Sequence, residues 1–204
     1  MDVLARRLLA RAMNGLTDIL ELRDKLIVNH SANVCKYSVL IARQMHLPEG
    51  VVEGLAQAAR LHDIGKIVLP DSILLKEGPL TEREWELMKQ HPVVSAQILE
   101  YMGIFEQELP AVRSHHERYD GTGYPSGLGG PAIPLGARIL AVADAFDAMT
   151  SPRSYKDSLT IDQAVEELRR HKNSQFDPAI VDVFIDVINS GNITIRPSDA
   201  RVAV

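Results

Sequence analysis

The sequence predicts an all-α domain. Three observations carry that reading. Apolar residues recur at helical spacing along most of the 204 residues. Capping signatures stand at the starts of several such runs. Glycine and proline gather at the joints, above all in residues 120–136, which hold six Gly and three Pro.

Taken in order, the first segment, about Val3 to Val28, places Leu4, Leu8, Ala12, Gly15, Ile19, Leu22 and Leu26 on one helical stripe. Leu9, Leu16, Leu20 and Ile27 lie on a neighbouring face. Two apolar faces fit a helix packed on the core and also on a partner or an upstream domain; one wide core-facing stripe is the alternative. His30 to Met45 and Glu49 to His62 read as the next helices, and residues 70–80 as a loop. Thr81 with Glu84 makes a capping box for a helix through Met88. Pro92, directly after His91, starts a new helix or kinks the old one. Leu109 to Glu117 is a short helix and Leu135 to Met149 an Ala-rich one. Thr160 with Gln163 caps a helix through Leu168; Asp177-Pro178 starts the last, which Gly191 closes. Residues 193–204 read as a loose tail with at most one short strand. The chain thus divides into an N-terminal amphipathic linker or packing helix (1–28), a main domain (29–192) and a tail (193–204).

Acidic residues outnumber basic ones, 27 to 22, for a formal charge of −5. Proteins that coat nucleic acid are usually basic, so DNA is not an expected partner. The single cysteine, Cys35, excludes an intramolecular disulfide framework and fits a reducing compartment. Charged residues interrupt the first twenty positions, and no apolar run approaches the roughly 18 residues of a membrane span, so neither a secretory signal nor a span is expected. A cytoplasmic location is the expectation, with a membrane-bound parent left open if the chain is an excised domain.

The seven histidines carry the chemistry. His62-Asp63 at a helix end can place two ligands around one ion, although the dipeptide alone is common. His115-His116 stand just before the Gly-rich loop; neighbours on a helix point about 100° apart, so both reach one centre only near a helix end or if two ions are present. His91 precedes Pro92, and His30 opens a helix. Asp144 lies inside the apolar run 139–149, with Asp147 one turn later on the same face. A carboxylate buried there is costly unless paired, to Arg138 or Lys66, or bound to metal. His46 and His171 look like surface residues. The candidate ligands are therefore His30, His62, Asp63, His91, His115, His116 and Asp144. That is more than one ion needs, and mixed nitrogen and oxygen donors suit Fe, Mn, Ni or Zn rather than Ca or Mg. Two such ions clamp a phosphodiester and lower the pKa of a shared water, whose hydroxide attacks phosphorus in line. Asp63 is the natural bridge between them.

These residues resemble a known family. His62-Asp63-Ile64-Gly65-Lys66, His91-Pro92, His115-His116-Glu117-Arg118, Asp120-Gly121 and Gly123-Tyr124-Pro125 together look like an HD-GYP domain, a branch of the HD metal-dependent phosphohydrolases. The likeness continues through residues 138–144, 151–156 and Phe176-Asp177-Pro178. It implies an HD-domain helical bundle with a Gly/Pro-rich GYP loop, carrying a non-haem metal cluster, often iron. It implies bacterial cyclic di-GMP phosphodiesterase activity, yielding pGpG and often GMP, with the seven candidates as metal ligands. It places Lys66 beside the scissile phosphate, Tyr124, Arg153 and Lys156 on the nucleotide, and Asp147 on the attacking water or on a ligand histidine. Trinuclear members carry a glutamate four residues before the first ligand histidine. Here that position is Leu26, with no acid on an equivalent nearby face, so two metals are expected and the step to GMP is in doubt. A cyclic di-GMP-sensing or partner-docking module with little turnover, and a phosphodiesterase for another cyclic dinucleotide, are the alternative functions. The family habit of fusion makes an upstream sensor or receiver domain, or a diguanylate cyclase, an expected partner. The first helix offers a route to a homodimer.

Overall fold

The computed structural model describes residues 3–23, 29–103, 106–151, 158–191 and 193. They form helices α1 (Val3–Arg23), α2 (His30–Gln44) and α3 (Glu49–Leu61), then a 3₁₀ turn (Ile64–Val68). Next come α4 (Asp71–Leu74), α5 (Glu82–Met88), α6 (His91–Met102) and α7 (Leu109–Arg113). After the long loop follow α8 (Leu135–Thr150), α9 (Ile161–Arg170) and α10 (Pro178–Asn189). The only β pairing among the described residues is a single bridge between Lys172 and Phe176. The expected tail strand lies outside the described residues, apart from Ile193.

The caps act where the sequence places them. Thr81 with Glu84 and Thr160 with Gln163 form complete capping boxes, and Asp177 accepts the Ala179 N–H at the start of α10. Pro92 begins α6 rather than kinking α5, because its missing N–H costs nothing in a first turn. Two boundaries differ from expectation. Residues 70–80 contain α4, a single turn that buries Ile73 and is too short to show periodicity. The helix expected to reach Glu117 ends at Arg113, and the chain then turns, with Glu117 N–H donating to Ser114 C=O at 3.0 Å.

The core lies where α2, α3, α8 and α10 meet. Ile41, Leu61, Leu140, Phe146 and Phe184 are fully buried there, each stabilising the fold by about 1.5–3 kcal/mol relative to exposure. Phe146 meets Tyr37 and Phe184 edge-on, with ring centroids 5.2 and 4.9 Å apart. α1 packs on α3 and the 3₁₀ turn through Thr17 and Leu20. Arg23 fastens its end, donating to Asp71 and to the Leu69 carbonyl, both at 2.7 Å. Leu8, Leu16, Ile19 and Leu22 of the same helix are exposed, Leu22 by 72%. Among the described side chains of α1 only Thr17 and Leu20 are buried, so these do not present a wide core-facing stripe.

Candidate metal centre

Three histidines stand just past helix ends, where the last carbonyls lack an intrahelical partner. Each uses Nδ1 to satisfy one of them: His62 donates to Ala59 C=O at 2.8 Å, His91 to Met88 C=O at 2.7 Å and His115 to Val112 C=O at 2.6 Å. A carbonyl can only accept, so Nδ1 carries the proton and, in the neutral ring, Nε2 presents a bare lone pair. Burial holds His62 and His115 below the ordinary imidazole range, and burial with the nearby His91 brings His116 down to about 3. Neutral rings with aimed lone pairs are the form that binds metal.

Those lone pairs converge. His91 Nε2 and His115 Nε2 are 3.3 Å apart, and His91 Nε2 is 3.1 Å from Asp63 Oδ1. A ring protonated only at Nδ1 has no proton to place in these contacts. His62 Nε2 and Asp63 Oδ1 are both buried without a hydrogen-bond partner. Such crowding of acceptors is unfavourable unless a cation sits among them, so the donor set fits metal. Among the described residues the donors fall into two groups, Asp63, His91, His115 and His116 in one, His30, His62 and Asp144 in the other. Together these are the seven expected ligands. The alternative for Asp144, a pairing with Arg138 or Lys66, is not what the structure shows: Arg138 binds Asp177 at 2.6 Å, and Lys66 binds Asp63 Oδ2 at 2.6 Å.

Asp63 joins the groups. Its Oδ1 faces His91 and His115, while Oδ2 faces His62 at 3.5 Å and His30 at 3.8 Å. Burial alone would raise its carboxyl; the Lys66 ammonium together with His62 and His91 outweighs burial and holds it well below the usual range. Gly65 makes room for this arrangement. A Cβ there would lie 2.3 Å from the His91 carbonyl oxygen and 2.6 Å from Ser95 N.

His30 is held differently. Its Nδ1 donates to Asp147 Oδ2 at 2.7 Å, leaving Nε2 3.3 Å from Asp144 Oδ1. Asp147 Oδ1 accepts from Asn33 and Ser151, both at 2.8 Å. Asp147 thus stands behind a ligand histidine rather than at the centre of the cluster. Burial opposes charge on His30, but Asp144 and Asp147 outweigh it and raise the imidazole to about 10. An Asp147→Asn variant is expected to weaken metal retention about 10- to 100-fold, read by competition against a chelator; wild-type retention would contradict the role.

One acid near His30 has no counterpart in the sequence reading. Glu21 of α1 lines a small cavity with His30, Asp63 and Lys66, and its Oε1 accepts the Ser31 N–H at 2.7 Å. Separation in sequence hid it, since tertiary packing of α1 brings it there. Leu26 lies outside the described residues, as do Arg153 and Lys156.

The loop after His116 folds back onto the cluster. Tyr124 N–H donates to His116 C=O at 3.2 Å, and the two rings lie 5.0 Å apart. The buried Glu117 carboxylate accepts from Ser126 N–H at 2.7 Å and Leu128 N–H at 3.1 Å, so it fastens the far limb. The sequence marks Glu117 only as part of a motif, and no spacing reveals its loop-holding role. At Gly123 a Cβ would lie 2.3 Å from Arg118 N, so only glycine fits.

A family model described as an HD domain matches residues 14–180. The chain belongs to the HD domain family. Over 149 residues this HD domain is 50% identical to the cyclic di-GMP phosphodiesterase response regulator RpfG of Xanthomonas campestris pv. campestris, covering 72% of the chain and 39% of that protein. Over 167 residues it is 41% identical to a cyclic di-GMP phosphodiesterase of Thermotoga maritima, covering 81% and 45%. A solved cyclic GMP-AMP-specific phosphodiesterase of V. cholerae superposes with a TM-score of 0.72 at 22% identity, covering 90% of this chain and 49% of that one; that likeness shows the fold. The chain spans less than half the length of these relatives. No helix among the described residues is long and apolar enough to cross a membrane.

A cavity of about 460 Å³ opens beside the HD domain's donor cluster. His115, His116 and Asp144 form its inner wall, and α8, the end of α9, Glu117 and Arg118 of the loop, and Gln175 with Phe176 form the rest. The ligand-bearing wall is thus reachable by a molecule of nucleotide size.

Proposed function

We propose that this HD domain hydrolyses cyclic di-GMP to linear pGpG at a binuclear metal site. The carrying observation is Asp63, which turns one oxygen toward each donor group. Relatives named as cyclic di-GMP phosphodiesterases support the substrate. Two divalent transition-metal ions, iron foremost with manganese, nickel or zinc as alternatives, would supply positive charge to the phosphoryl oxygens and a deprotonated water at neutral pH. His30, His62 and Asp144 would hold one ion, His91, His115 and His116 the other, and Asp63 both. Leu26 offers no donor, which favours two ions and product release at pGpG.

The chain's own residues account for the rest. Lys66 reaches the cluster from the 3₁₀ turn, its ammonium 2.6 Å from Asp63 Oδ2. There it can stabilise charge growing on the phosphoryl oxygens as water adds and the P–O3′ bond breaks. Asp147 keeps His30 in one tautomer and orientation. Tyr124 forms a fixed wall beside His116, and Arg153 and Lys156 are assigned to the nucleotide. The exposed stripe of Leu8, Ile19 and Leu22 is assigned to an upstream sensor or receiver domain, a diguanylate cyclase, or a second copy of the chain.

The test is anaerobic loading with Fe(II) or Mn(II), addition of cyclic di-GMP, and chromatographic separation of pGpG from GMP. Accumulation of pGpG with two ions per chain is the expected result. Tight binding without product would defeat the enzymatic reading, and three ions per chain would defeat the binuclear one.

A further inference from the structure

The cavity beside the cluster has a chemistry that the metal site does not use. Its floor is Ala141, Ala145 and Ala148 of α8 with Met149. The alanines recur at helical spacing on one face, leaving a low apolar strip. The outer wall is Glu167 and His171 at the end of α9, with Gln175 beyond. That wall is rigid. The N–H groups of Gln175 and Phe176 both donate to His171 C=O at 3.1 Å, Asn173 takes the left-handed conformation at φ 62, and Tyr119 N–H from the loop donates to Gln175 C=O at 3.1 Å. Arg170 lies 2.8 Å from Glu167 Oε1 and His171 3.7 Å from Oε2, which positions the carboxylate. Each oxygen retains a further lone pair.

The geometry points to a base-reading slot in which Glu167 selects guanine over adenine. A purine has apolar faces for the alanine strip and a polar edge for the outer wall. Guanine offers two donors side by side, N1–H and the exocyclic N2–H, which a carboxylate accepts as a pair. Adenine turns the N1 lone pair toward the same oxygens and is repelled. The slot rests on the proposed cyclic dinucleotide reading, since the ions that His116 and Asp144 on its inner wall would hold would engage the phosphate of the same ligand.

The experiment is equilibrium binding of hydrolysis-resistant phosphorothioate analogues of cyclic di-GMP and cyclic di-AMP to the metal-loaded chain. A bidentate contact of this kind is worth about tenfold or more in discrimination, so the wild type should prefer the guanine analogue by at least that factor. Glu167→Gln should lose most of the preference. Glu166→Gln, which alters an exposed neighbour on the same helix, should keep it. A wild type without preference, a Glu167→Gln variant that keeps it, or equal weakening of both analogues would overturn the slot. Base preference without any hydrolysis would sink the proposed activity and leave the slot standing; hydrolysis without base preference would do the reverse.

Discussion

Asp63→Asn is expected to reduce cyclic di-GMP hydrolysis by about 10³-fold or more. The substitution preserves shape and removes the charge. An amide presents one acceptor and one donor group, so it cannot offer an oxygen to both His91–His115 and His30–His62, as the carboxylate does. The lost transition-state charge stabilisation amounts to several kcal/mol, and each 1.36 kcal/mol is about tenfold in rate. Metal content should fall below two ions per chain in the same preparation. The measurement pairs initial rates with elemental analysis. Near-wild-type activity with both ions retained would refute the bridging role.

Gly65→Ala is expected to destabilise the chain and to misplace His91 together. The added methyl carbon would stand 2.3 Å from the His91 carbonyl oxygen and 2.6 Å from Ser95 N. Both are backbone atoms of α6, so relief requires the 3₁₀ turn to lift from that helix. The hydrogen bond from Gly65 N–H to Ser95 Oγ, 2.8 Å long, would open with it. Overpacking of this kind costs about 1–3 kcal/mol, and each kcal/mol lowers the melting temperature of a chain this size by roughly 2–4 °C. Gly50→Ala is the comparison, because nothing lies within 4 Å of its added carbon. If the two variants melted alike, close packing of the turn would not be what demands glycine at position 65.

Much of the fold was legible because its signals are local. Thr81-Glu84, Thr160-Gln163 and Asp177-Pro178 each mark a helix start within four residues, and the structure places caps at all three. The seven donors were legible by residue type, since five imidazoles and two acids stand at helix ends or in an apolar run. Their sorting into two groups was not. It depends on which Nε2 atoms face which Asp63 oxygen, a property of tertiary packing. Glu21 was illegible for the same reason, reaching Ser31 only after α1 docks. Glu117 was passed over because a loop-holding carboxylate has no periodicity; its signature is two backbone N–H groups nine and eleven residues away. The α1 stripe was legible as apolar but not as exposed. Helical spacing reports a face and leaves its direction open, and here Thr17 and Leu20 turn inward while Ile19 and Leu22 turn out.

The carbonyls of Ala59, Met88 and Val112 have a consequence for which ion the chain carries. Three ligand rings are aimed by their own helix ends, through bonds that form within four residues of chain. The cage is therefore shaped before any ion arrives, and filling it requires no reorientation of those rings. A cage built this way exerts little choice through induced geometry among ions of similar size. Occupancy then follows supply, so the metal content of the purified chain should change with the metals in the growth medium while the donor framework stays the same.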